Sequence, residues 1–95
     1  MSLRYEVHPQ VVCEKVAGRY LLIAYADALG ELPYLREINE TGAFYWNLAA
    51  GGNDRDEMLQ QALTIYDASQ DILERGLEVF LKDLIDEGYV TEREE

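Results

Sequence analysis

Along this 95-residue chain the spacing of apolar residues changes once, between Ile38 and Asn39, and that change dictates the class of fold. Before it, apolar residues come in short runs rich in β-branched and aromatic side chains. After it, they recur every three or four residues. Val11-Val12-Cys13-Glu14-Lys15-Val16 and Arg19-Tyr20-Leu21-Leu22-Ile23-Ala24-Tyr25 are separated only by Ala17-Gly18. This predicts a β-hairpin whose tight turn uses glycine for a positive φ. Residues 26–31 are turn-rich, and residues 32–38 predict a third strand in which Leu32, Tyr34 and Ile38 share one parity while Glu37 takes the other. Pro33 has no N–H to give to a ladder, so it belongs at a strand start or on an unpaired edge.

Beyond Ile38 the period is helical. Asn39 caps a first helix with Gly42, Tyr45, Trp46 and Ala49 on one face, and Gly51-Gly52 ends it. Asn53 or Asp54 starts a second helix with an apolar stripe of Met58, Leu59, Ala62, Leu63 and Tyr66. Ser69 caps the longest helix, whose stripe of Leu73, Leu77, Phe80 and Leu84 is widened by Leu81 and Ile85 and stopped at Gly88. Tyr89-Val90-Thr91 predicts a short extended piece, and Glu92-Arg93-Glu94-Glu95 a solvated tail. Met1, Ser2 and Leu3 are set aside as a stretch of expression-leader type.

The predicted fold is therefore α+β and winged-helix-like: a three-stranded antiparallel sheet followed by a three-helix bundle, in the order β-β-β-α-α-α. Ninety-five residues suit one compact domain, residues 1–95, with its core within 11–90. So small a sheet has unpaired edges, and only Pro33, Arg36 and Glu37 blunt the third strand.

A net charge of −11 invites a disordered reading, but 48% hydrophobic and 11% aromatic residues supply enough apolar surface for a folded core. Eight basic residues against nineteen acidic ones argue against nucleic-acid and anionic-membrane partners, because phosphates are neutralised by clustered Lys and Arg. No apolar run reaches membrane-span length and residues 1–10 lack a signal-type run, so a cytoplasmic location is expected.

Chemistry is thinly represented. His8 is the only histidine and has no second one with which to build a triad, Cys13 lies within a strand, and Ser69 is occupied as a cap. One cysteine and one histidine do not make a zinc set, and Gly51-Gly52-Asn53-Asp54 lacks the phosphate-loop pattern, so neither metal nor cofactor is expected. Glu74, Glu78 and Asp86 fall off the apolar stripe and read as a solvated face. Phe44, Tyr45 and Trp46 follow one another about 100° apart on a helix. Two are expected to fill the core, with one at its boundary as a plausible partner anchor.

Gly18, Ile38-Asn39-Glu40-Thr41-Gly42, Tyr45-Trp46 and the ending Phe80-Leu81-x-x-Leu84-Ile85-x-x-Gly88-Tyr89-Val90 together resemble the PqqD family. Its members are peptide chaperones of pyrroloquinoline quinone biosynthesis, with related recognition elements for ribosomally made, modified peptides. The resemblance runs over residues 11–90. It implies a non-enzymatic domain that binds the leader of a precursor peptide as an added antiparallel strand between the third strand and third helix. The core part of the precursor would then be presented to a modifying enzyme such as a radical S-adenosylmethionine maturase, a cyclase or a peptidase. Carried over residue by residue, it points to Tyr34, Leu35, Arg36, Glu37 and Ile38 on the edge and to Gly76, Val79, Phe80 and Asp83 on the helix wall. Residues 26–32 depart from the family's usual Asp-x-x-x-Gly-x-Tyr run, with Gly30 kept and Pro33 near the strand start.

Strand addition suits this composition, because an unpaired edge satisfies almost any peptide backbone while side-chain pockets select among peptides. Lys15, Arg36, Arg75 and Lys82 are the cations available to choose acidic leader positions, whereas the surrounding carboxylates would favour basic ones; both remain open at this level. Gly76 inside the third helix admits three readings: close approach of a bound peptide, tight packing on the sheet, or tolerance. The alternatives to leader binding are a winged-helix DNA-binding domain, a general protein-docking domain and an unaided enzyme.

Overall fold

The computed structural model describes residues 3–94. In chain order its elements are β1 (Leu3–Val7), β2 (Val11–Val16), β3 (Arg19–Ala24), a 3-10 turn (Ala26–Gly30), β4 (Leu35–Ile38), α1 (Glu40–Ala50), α2 (Arg55–Ile65), α3 (Gln70–Glu87) and β5 (Val90–Glu94). The fold is α+β, with antiparallel sheet and three helices.

Ala17 and Gly18 both take positive φ, 52° and 79°, so a two-residue turn closes the β2–β3 hairpin on the pair Val16 and Arg19. β4 then pairs with β3, giving the order β2-β3-β4 with β4 at an edge. The inner face of this sheet carries Val11, Leu22, Ala24 and Ile38, all buried against the helices. α3 contributes Leu73, Leu77, Leu81 and Leu84 from one stripe, each worth about 1.5–3 kcal/mol on burial.

The helix ends follow their caps. Asn39 Oδ1 accepts from the Gly42 N–H at 2.7 Å, and Ser69 Oγ from the Ile72 N–H at 3.3 Å. The start of α2 is Asp54: its carboxylate accepts from the Glu57 N–H while Glu57 Oε1 accepts from the Asp54 N–H, both at 2.8 Å, a reciprocal capping box. Tyr45 and Trp46 are buried, and Phe44 sits at the boundary with its ring edge-on to Tyr66, 5.5 Å between centroids.

Three expectations are corrected. The order β-β-β-α-α-α omits a second sheet, in which β1 and β5 pair antiparallel from Leu3 opposite Glu94 to Val7 opposite Val90. The stretch predicted as a solvated tail is thus a strand with exposed side chains, and Leu3, set aside above, opens its partner. Met1 and Ser2 of the excluded stretch and Glu95 of the predicted tail lie outside the described residues. Tyr5 of β1 is buried in the hydrophobic core. Thirdly, the strand predicted over 32–38 is regular only from Leu35. Leu32 turns into the core and packs against Gly88, while Tyr34 is 60% exposed and does not share a packed face with Leu32 and Ile38.

Candidate functional site

The edge of β4 has a definite hydrogen-bonding polarity. The closing pair Val16 and Arg19 commits residues 19, 21 and 23 of β3 to β2, leaving 20, 22 and 24 to face β4. The Ala24 N–H accordingly donates to the Tyr34 carbonyl at 3.0 Å, and Leu22 stands opposite Arg36, Tyr20 opposite Ile38. Backbone groups alternate sides along a strand, so Leu35 and Glu37 direct their N–H and C=O away from β3. These are the free donors and acceptors of the edge.

α3 runs antiparallel to β4. At one end the Arg36 guanidinium grips Glu87 through two hydrogen bonds, Nε to Oε1 at 2.8 Å and Nη2 to Oε2 at 2.9 Å, and lies over the Tyr89 ring. The bonds to Glu87 hold the guanidinium protonated beyond its ordinary range, against the opposing effect of partial burial. At the other end the Phe80 ring crosses the start of α1. A Cβ built on Gly42 would meet Phe80 Cε1 at 2.9 Å and Asn39 Oδ1 at 3.0 Å, so only glycine lets the two helices close at this point. Gly42→Ala is expected to push the ring outward and lower stability by about 1–3 kcal/mol, read as a drop in Tm. An unchanged Tm would mean that the contact yields freely.

Between these two ends lies a groove of about 630 Å³. The edge side supplies Arg36, Glu37 and Ile38, and the helix wall supplies Gly76, Val79, Phe80 and Asp83. Seven of the sequence-derived candidates therefore line one cavity. Leu35 and Tyr34 do not: the Leu35 side chain lies on the outer sheet face in the cross-strand row Val12, Ile23, Leu35, and Tyr34 precedes the strand. Of the three consecutive aromatics the one at the boundary is Phe44, whose ring meets Tyr66 at the end of α2 and does not line the groove; Phe80 is the aromatic of the groove.

Sequence reasoning left Asn39, Thr41, Gly42 and Ile72 out of the groove lining, and offered Arg75 only as a cation able to choose acidic leader positions. Ile72 was within reach. Ile72, Gly76, Val79, Phe80 and Asp83 follow the spacing i, i+4, i+7, i+8, i+11, a second stripe beside the buried one, and both Ile72 and Val79 are exposed apolar residues. Gly76 belongs to this stripe, and nothing stands within 4 Å of a Cβ built on it, so tight packing on the sheet does not explain it. Among the described residues no group of three or more His, Cys, Asp or Glu side chains is placed to hold a metal ion, and no helix is long and apolar enough to cross a membrane.

Two solved structures share the architecture. TbiB1 in complex with the TbiA(beta) leader peptide aligns over 90% of this chain and 93% of its own, with TM-score 0.72 and 18% identity. A lasso peptide synthetase B1 complexed with the leader peptide aligns over 93% and 98%, with TM-score 0.74 and 16% identity. At these identities the likeness concerns the fold. No curated protein matches the chain in sequence. Residues 34–90, well over half of the chain and spanning β4 through the start of β5, match the family described as coenzyme PQQ synthesis protein D. The chain belongs to the PqqD family.

Proposed function

We propose that this chain binds the leader segment of a ribosomally made precursor peptide and holds it for a partner modifying enzyme, without catalysing a reaction itself. The leader adds as an antiparallel strand to β4, pairs with the outward backbone groups of Leu35 and Glu37, and rests its side chains against the Gly76, Val79, Phe80 and Asp83 wall of α3. The carrying observation is the coincidence of a free strand edge with an apolar groove along that same edge. Family membership supports the reading, as do two proteins of like fold in complex with leader peptides. The winged-helix-like reading rests on the same β2-β3-β4 sheet beside three helices.

Duplex DNA is the weaker alternative. The α3 surface carries Asp71, Glu74, Glu78, Asp83, Asp86 and Glu87 against Arg75 and Lys82, the wrong sign for a phosphate backbone.

The test uses fluorescein-labelled N-terminal halves of short precursor peptides encoded beside the gene for this chain, titrated by fluorescence anisotropy. Saturable binding with unchanged peptide mass after prolonged incubation is the expected outcome. A change in peptide mass produced by the isolated chain, or preferential tight binding of duplex DNA at physiological salt, would overturn the proposal.

A further inference from the structure

Charge in the groove is arranged with a direction. Of the eight basic side chains, seven are already engaged by a carboxylate, a backbone carbonyl or an aromatic ring. That number includes three of the four cations which the sequence offered as readers of acidic positions: Lys15 lies over Tyr20, Arg36 grips Glu87, and Lys82 pairs with Asp86 at 3.0 Å. Arg75 is the fourth. Among the described residues it has no ion pair, hydrogen bond or ring contact, although the chain carries nineteen carboxylate side chains, and it lines the groove. Asp83 lines the same groove and, among the described residues, has no ion pair, with Arg36 and Lys82 acting on it at longer range.

The separation of the two charges matches an extended peptide. Eight residues of α-helix advance about 12 Å, and four residues of strand about 13 Å, an even interval that returns a side chain to the same face. The order is set by α3 itself. Glu87 stands at the Arg36 end of β4 and Phe80 beside Gly42 beyond its other end, so α3 and β4 are antiparallel. A strand laid antiparallel to β4 runs with α3, and meets Arg75 before Asp83.

We infer that the groove selects leader segments bearing an acidic side chain followed four residues later by a basic one. This rests on the leader-binding reading given above and adds to it a rule of composition and direction. Order, and not net charge, is what is recognised: two peptides of identical composition with the two charges exchanged are distinguished.

A library of random 14-residue peptides displayed on phage, selected against the whole chain, tests both levels. The wild-type protein is expected to enrich acid-x-x-x-base sequences, and the double variant Arg75→Glu, Asp83→Lys the reverse order. For one synthetic peptide and its charge-exchanged partner, the preference is expected to be roughly tenfold, to invert in the double variant, and to shrink in 0.5 M salt. Enriched peptides with no charge order, or with base first, that still shift the Leu35 and Glu37 amides would overturn this inference and leave the groove reading standing. Enriched peptides that leave those amides unmoved, or no enrichment at all, would count against the groove reading and this inference together.

Discussion

Replacing Gly76 by leucine is expected to make the protein more stable and a poorer binder at the same time. Glycine inside a helix costs about 0.5–1 kcal/mol relative to a good helix former, because more backbone freedom is lost on folding. Nothing in the fold repays that cost, since a Cβ at this position would meet open space. Thermal unfolding of Gly76→Leu should therefore shift upward by about 2–8 °C, the range that such a free-energy change gives in a domain of this size. Yet Gly76 lines the groove between Arg75 and Val79, and four added carbons occupy the space in which a peptide backbone would lie. Loss of affinity by about tenfold or more is expected, with Gly76→Ala sharing the stability gain at a smaller loss of binding. A stabilised Gly76→Leu with full affinity would show that the peptide does not pass this wall. A destabilised variant would show that the glycine serves the fold.

A second large effect comes from proline on β4, and its sign depends on the position. Leu35 and Glu37 point their N–H groups outward, so proline there removes a donor that β3 does not use. Glu37→Pro should change stability by no more than about 1 kcal/mol, since its carboxylate makes only an exposed contact with Arg19 at 3.7 Å. Affinity for a bound peptide should fall about tenfold, reflecting one net hydrogen bond of about 0.5–1.5 kcal/mol together with the clash of the ring against the incoming strand. Arg36→Pro behaves in the opposite way, because its N–H faces Leu22. It is expected to destabilise the fold beyond Arg36→Ala by about 1–3 kcal/mol, the control accounting for the lost Glu87 pair. Equal effects of Glu37→Pro and Arg36→Pro on stability would contradict the assigned polarity of the edge.

The features legible in the sequence were those set locally. The Ala17-Gly18 turn, the caps Asn39 and Ser69, the Gly88 stop and the apolar stripes each depend on residues within one or two turns of each other, and each stands where its spacing predicts, except that Phe80 leaves the buried stripe of α3 to line the groove. The β1–β5 sheet was missed because its signal is divided between the ends of the chain. Leu3, Tyr5 and Val7 do alternate with Arg4 and Glu6, but their partner strand, Val90-Thr91-Glu92-Arg93-Glu94, has one buried residue and reads as a polar tail. The strand over 32–38 was overextended because Leu32 is apolar for a different reason, its packing against Gly88.

For the groove, the second stripe of α3 was visible as residue spacing, but which cations were already taken was not. Arg36 meets Glu87 across 51 residues and Arg55 meets Glu78 across 23, pairings that only the tertiary fold creates. The same holds for Gly42, whose need for glycine arises from Phe80, a residue far along the chain. A sequence can place Arg75 on a helix face; it takes the fold to leave it without a partner among the described residues.

The central claim is that β4 accepts another strand at its free edge, and amide hydrogen exchange reads this residue by residue. With a binding peptide at saturation, the Leu35 and Glu37 amides should change from fast to slow exchange. Arg36 and Ile38, already turned toward β3, should exchange slowly with or without the peptide. Protection that appears instead in the β2–β3 hairpin or on α2, with Leu35 and Glu37 still exchanging freely, would contradict the account.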